Sequence, residues 1–167
     1  MKIFLIGPMG SGKSKIGRIL SEKLSISLFD IDKEIEKDLN MSITEIFASK
    51  GEIFFRNTET DYLIKTKGLR DCIVSTGGGV IEEIKNLEFL KKEANVVFLN
   101  CSVESQYENT KNSAKRPLLL TNDPKLTLQT LYEKRFESYK KVSKLELLSD
   151  SMSNDEIANK IINHFNV

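Results

Sequence analysis

The apolar positions of the chain fall into short runs separated by longer amphipathic stretches. KIFLI (2–6), CIVS (72–75) and NVVFL (95–99) are almost continuously apolar, the pattern of strands buried on both faces. ISLF (26–29) and KLELL (144–148) are weaker versions of the same signal. The stretches between them repeat at helical spacing. In IGRILSEKL (16–24), Ile16, Ile19, Leu20 and Leu24 share one face. Ser42-Ile43-Thr44-Glu45 has capping-box spacing and opens a short helix expected to end near Gly51. A second helical stretch covers 52–67. IEEIKNLEFLKKE (81–93) and SNDEIANKIINHF (153–165) are amphipathic, the latter with an S-x-x-E start at Ser153.

Strands alternating with helices imply parallel βαβ units. The expected class is therefore α/β: a three-layer, open parallel β-sheet of about five strands with helices on both faces. The 167 residues, 40% of them hydrophobic, suffice for one domain spanning 1–167. Residues 109–125 are polar and carry two of the three prolines, which predicts a long connection. Loops of that length in a compact domain are usually functional or mobile.

Gly7-Pro8-Met9-Gly10-Ser11-Gly12-Lys13-Ser14 fits G-x-x-x-x-G-K-[ST] and lies between a predicted strand and a predicted helix. Glycines let successive backbone N–H groups converge on phosphate oxygens, and the next helix presents its positive end. Lys13 is suited to reach the β- and γ-phosphates, and the Ser14 hydroxyl to bind Mg²⁺. The motif points to nucleoside triphosphate binding and leaves the acceptor open.

Charge and composition narrow the choice. There are 25 basic and 24 acidic residues, so bulk charge does not point to nucleic acid. Cys72 and Cys101 border apolar runs and are read as small buried thiols. No C-x-x-C pair, signal-peptide pattern or membrane-length apolar run is present, so a cytoplasmic protein is expected. The only histidine, His164, lies near the end of the last helix, which makes a histidine general base improbable.

The acceptor site is sought beyond the carboxyl ends of the strands, where open parallel sheets bind ligands. Asp30-Ile31-Asp32 follows ISLF. In an extended segment both carboxylates face one side, one suited to a water on Mg²⁺ and the other to a hydroxyl proton. The alternative is an aspartate capping the helix that follows. Thr76-Gly77-Gly78-Gly79 follows CIVS and exposes bare backbone. Five arginines stand against twenty lysines, so an arginine carries a specific task more often. Arg56, after Phe54-Phe55, suits the carboxylate of a small ring, with Glu59 placed to orient it. Arg116, before Pro117, suits a lid that neutralises a transferring phosphoryl group.

The ordered set GPMGSGKSKIGRIL, FDIDKEIE, EIFFRNTE, STGGGV, KRPLL and R-x-x-x-Y (135–139) resembles the shikimate kinase family over about residues 2–140. The resemblance implies a P-loop NTPase fold of the nucleoside monophosphate kinase type. It also implies transfer of the γ-phosphate of ATP to the 3-hydroxyl of shikimate, with Mg²⁺, on the route to chorismate and the aromatic amino acids. It places Gly10, Ser11, Gly12, Lys13, Ser14 and Lys15 around the triphosphate, with Arg116 on the phosphates from a lid over about 109–123. Ser14, and Asp30 through water, would hold the metal. Asp32 would be the base and bind shikimate's hydroxyls, in a substrate-binding helical region over about 31–60. Arg56 and Arg135 would hold the carboxylate, with Gly78 and Gly79 beside the substrate. The expected protein is a cytoplasmic monomer with shikimate and ATP as partners, and no nucleic acid or membrane.

The sequence departs from the family pattern at Lys15, usually Thr, and at Asn109, usually a basic residue that stacks on adenine. Lys111 is a possible substitute for the latter. SDSMSND (149–155) replaces a basic, proline-containing adenine loop. Two rivals stand beside this reading. One is another small-molecule kinase acting on gluconate or a nucleoside monophosphate. The other is a non-catalytic nucleotide-binding module.

Overall fold

The apolar runs are divided between two cores by the alternation of a β-strand. In β1 (Lys2–Ile6), Phe4 and Ile6 face one core while Ile3 and Leu5 face the other. A computed structural model describes residues 1–113 and 116–167. Among the described residues one five-stranded sheet forms, ordered β2-β3-β1-β4-β5 and parallel at every pairing. The other strands are β2 (Ser27–Asp30), β3 (Cys72–Ser75), β4 (Val96–Asn100) and β5 (Leu145–Leu148). Each predicted strand is present, shifted by at most one residue at either end.

Helices cover both faces. On one face α1 (Lys13–Leu24) and α7 (Asn154–Phe165) bury Ile16, Leu20, Ile157 and Ile161 against Val97 and Leu99. The other face is covered by α2 (Ile31–Leu39), α3 (Ile43–Lys65), α4 (Ile84–Lys92) and α6 (Pro124–Val142). There Phe98 of β4 stacks on Tyr139 of α6, with ring centroids 4.9 Å apart. The capping boxes predicted at Ser42 and Ser153 are both formed, with Glu45 and Glu156.

The short helix opened by Ser42 ends at Gly51 as expected: Gly51 has φ 82° and ψ 167°, outside the helical region, so α3 is two helices that meet across a kink. Three expectations need correction. The stretch 81–93 is not one helix. Val80–Glu82 forms a single 3₁₀ turn and α4 begins at Ile84. The connection assigned to 109–125 begins later, because α5 (Val103–Thr110), capped by Ser102, had no strong apolar face to announce it. It also ends earlier, at Asp123, which caps α6. Positions 114 and 115 of this connection lie outside the described residues. Finally, Asp30 and Asp32 are not both on a strand. Asp30 ends β2 and its side chain accepts the Lys33 N–H, capping α2, while Asp32 belongs to the first turn of that helix.

Cys72 and Cys101 are buried and unpaired, as expected. His164 is exposed near the end of α7.

Candidate active site

Every element that the glycine loop needs is supplied by β1 and α1. Gly10 and Gly12 adopt φ 79° and 88°, left-handed values that side-chain-bearing residues rarely take. Gly12 is the N-cap of α1 and, lacking a side chain, leaves the helix terminus without a side-chain cap. Lys13 is buried, and its Nζ donates to the carbonyls of Gly7 and Pro8, each at 2.7 Å. The ammonium thus lies inside the ring of backbone that would surround a phosphate. Burial pulls its pKa down to about 8, helped by the Arg116 charge and opposed by Asp32 and Asp30.

Ser14 and Asp30 meet at the base of the loop. Ser14 Oγ donates to Asp30 Oδ2 at 2.6 Å. Among the described residues no group of three or more His, Cys, Asp or Glu could hold a metal ion. One hydroxyl and one carboxylate beside a phosphate cradle instead match Mg²⁺, which takes few protein oxygens and shares the phosphates.

A cleft of about 560 Å³ runs over the loop, lined by residues including Lys13, Ser14, Lys15, Asp32 and Arg116. A narrower pocket adjoins it. Its walls include Phe47, Phe55, Arg56, Glu59, Gly79 and Arg135. Met9, Asp32, Gly77, Gly78 and Arg116 line both. Asp32 therefore stands where the two spaces meet. Its Oδ1 is buried and has no hydrogen-bond partner among the described residues. Burial raises its pKa, Asp30 adds to the rise, and Arg116, Lys13 and Arg56 oppose it.

Two of the pocket's three guanidinium groups, those of Arg56 and Arg135, are each gripped by carboxylates. Arg56 Nη1 donates to Glu59 Oε2 at 2.8 Å, while its Nε and Nη2 reach Glu52 Oε1 at 3.3 and 3.2 Å. The Phe55 ring lies 5.3 Å from the Arg56 Cζ. Arg135 is buried, and its Nε donates to Glu82 Oε1 at 2.7 Å. The glycine run makes room for these groups. A Cβ on Gly79 would overlap the Arg56 guanidinium, and one on Gly77 would overlap Glu59 Oε1. Tyr139 Oη donates to the Gly78 carbonyl, tying that run to α6.

A P-loop cleft that shares one half-buried aspartate and Arg116 with a pocket holding two further arginines is a kinase geometry. A family model described as shikimate kinase matches residues 9–166. The chain belongs to the shikimate kinase family. A shikimate kinase from Marinomonas sp. (strain MWYL1) is 40% identical over 162 residues, covering 96% of this chain and 89% of that protein. A solved shikimate kinase from Acinetobacter baumannii, in complex with shikimate, matches with a TM-score of 0.95 at 35% identity, covering 99% of this chain and 92% of that one. Deoxyadenosine kinase from M. mycoides, 17% identical with a TM-score of 0.65 over the full length of both chains, shares the fold alone.

The shikimate kinase motifs all reach the paired clefts. Gly10, Ser11, Gly12, Lys13, Ser14, Lys15 and Arg116 line the larger space, and Arg56, Gly79 and Arg135 line the smaller. Asp32 and Gly78 line both, and Asp30 contacts Ser14 from below. Of the two residues on the adenine side, Lys111 pairs its ammonium with the exposed Glu108, while Asn109 lines the cleft and donates to the Gly10 carbonyl at 2.9 Å. Sequence reasoning missed Glu52 and Glu82. Glu52 had a signal, four positions before Arg56 on one helix. Glu82 had none, because its partner lies 53 residues away.

Proposed function

We propose that this shikimate kinase-family chain transfers the γ-phosphoryl group of ATP to the 3-hydroxyl of shikimate, giving shikimate 3-phosphate and ADP. The observation that carries this reading is Asp32 Oδ1, a buried acceptor with no partner among the described residues, at the junction of the phosphate cleft and the arginine pocket.

The residues take the following roles. Arg56 and Arg135 hold the substrate carboxylate, with Phe55 as an apolar wall beside the ring. That grip sets the ring so that its 3-hydroxyl faces Asp32. Asp32 accepts the hydroxyl proton as the oxygen bonds to the γ-phosphorus and the bond to the β,γ-bridging oxygen breaks. ADP leaves with that electron pair. Lys13 and Arg116 neutralise charge on the phosphates, and Gly10 to Lys15 wrap them. Ser14, with Asp30 through water, would hold Mg²⁺, which when bound neutralises phosphate charge. The segment over about 109–123 serves as the lid that brings Arg116 in, and the region over about 31–60 carries the substrate side.

The shikimate-bound relative from Acinetobacter baumannii supports the choice of acceptor. An arginine pair alone would also suit the carboxylate of gluconate or the phosphate of a nucleoside monophosphate. The shikimate kinase family match and the relatives in that family favour shikimate over both. The test is a calorimetric titration of the protein with shikimate, with and without MgADP. Saturable one-to-one binding of shikimate is expected, lost in Arg56→Ala. Absence of binding in both conditions would overturn the reading.

A further inference from the structure

Among the described residues, Arg135 is held along one edge only. Its Nε and Nη2 both donate to Glu82 Oε1. The other oxygen, Oε2, pairs with the Nζ of Lys134, the preceding residue of α6. One carboxylate is thus fastened to α6 through both of its oxygens.

Glu82 is itself fixed from the other side. It ends the 3₁₀ turn Val80–Glu82, and its N–H donates to the Gly79 carbonyl at 2.9 Å. The Val80 carbonyl accepts from Asn86 Nδ2 at 2.8 Å, and Asn86 is fully buried. The turn therefore has a firm seat directly after the glycine run that lines the pocket.

A guanidinium has five N–H donors in a planar fork. With the Nε–Nη2 edge taken, the Nη1 side remains. Nη1 lies beside Gly78, where an added Cβ would sit 3.6 Å from it. Gly78 lines the pocket. The edge that Glu82 leaves open is the edge that faces the substrate space. Arg56 is clamped on the same Nε–Nη2 edge by Glu52, but its Nη1 is also taken, by Glu59, so the open edge is particular to Arg135. A long arginine side chain without such a partner would spread over several rotamers and be repelled by the neighbouring guanidinium.

We propose that Glu82 is a positioning residue for the reaction: it clamps the Nε–Nη2 edge of Arg135 and so aims the free edge at the acceptor's carboxylate. This rests on the reading that Arg135 binds that carboxylate.

Steady-state kinetics of Glu82→Ala, Glu82→Gln and Arg135→Ala test it, with shikimate and ATP varied separately. A charge-assisted hydrogen bond lost from Arg135 predicts a KM for shikimate raised about tenfold or more in Glu82→Ala. The ATP KM should stay within about twofold and kcat within about threefold, because Glu82 touches neither the nucleotide cleft nor Asp32. Glu82→Gln keeps an acceptor oxygen and loses the charge, so it should recover most of the loss and leave KM raised about threefold. A merely structural role would lower Tm and the active fraction without moving KM. If Glu82→Ala does not fold, Glu82→Gln decides by the same criterion. Parent-like shikimate KM in the folded Glu82 variants, with Arg135→Ala raising it strongly, would overturn the role of Glu82 alone. An unmoved KM in Arg135→Ala would overturn the carboxylate reading and the role of Glu82 with it.

Discussion

Asp32 Oδ1 and Glu59 Oε1 both abut Gly77, and neither buried oxygen has a hydrogen-bond partner among the described residues. Two carboxylates with open acceptor sites side by side are unfavourable in an empty pocket and favourable once hydroxyl donors arrive. The rest of Glu59 is engaged, since its Oε2 accepts from Arg56 at 2.8 Å.

Glu59 should impose a pH dependence on stability. Burial pushes its pKa from 4.5 up to about 7, Asp32 adds to the push, and Arg56 pulls the other way without prevailing. The folded state then keeps a proton that the unfolded chain has already released. Stability should therefore fall as pH rises from about 4.5 to about 7, by up to roughly 3 kcal/mol from this group. Glu59→Gln cannot lose that proton. Its Tm relative to the parent should climb across the same interval. A constant difference from pH 4.5 to 7 would contradict the assignment.

Asp32→Ala should lower turnover by about 10²–10⁴-fold while nucleotide binding survives, since the base is lost and the loop is intact. Rapid-mixing assays alongside ADP binding by fluorescence would separate the two effects. Turnover near that of the parent would remove Asp32 from the chemistry.

Gly79→Ala tests the fit of the glycine run. Gly79 has φ −92°, which alanine adopts without strain, so the effect is purely the overlap with the Arg56 guanidinium. Displacing that group should raise the shikimate KM about tenfold or more and leave the ATP KM alone. A parent-like shikimate KM would show that Arg56 can move without cost.

The nucleotide side predicts weak discrimination between purines. Away from the phosphates the cleft is lined by Ser105, Asn109, Ser149, Asp150 and Asn154, without an aromatic ring among them. Short side chains on an open wall hold few fixed donors and acceptors to the base edge, which is where adenine and guanine differ. GTP should therefore support turnover within about tenfold of ATP in kcat/KM. A preference for ATP above about a hundredfold would mean that these short polar groups read the adenine edge specifically.

The sheet and the phosphate loop were legible because their signals are local. KIFLI and CIVS coincide with β1 and β3, and the loop between KIFLI and α1 has a fixed spacing. Asp32 was found for a reason that the structure revises. Two-residue spacing suggested an extended segment, but Asp30 caps α2 and the first helical turn delivers Asp32 to the cleft. Arg56 could be read with Glu59 because both lie on α3. Arg135 and Glu82 could not, since their pairing depends on α6 lying against the 3₁₀ turn after β3. Position 109 was judged by charge alone. The structure adds what charge could not show: Asn109 bonds the Gly10 carbonyl while Lys111 pairs with Glu108.

The most direct measurement is ADP release in a coupled assay with shikimate, gluconate and AMP offered separately at saturating MgATP. A single pocket uniting Asp32, Arg56 and Arg135 predicts turnover with shikimate, product phosphorylated at the 3-hydroxyl, and background rates with the other two. Turnover on gluconate or AMP with none on shikimate would contradict it.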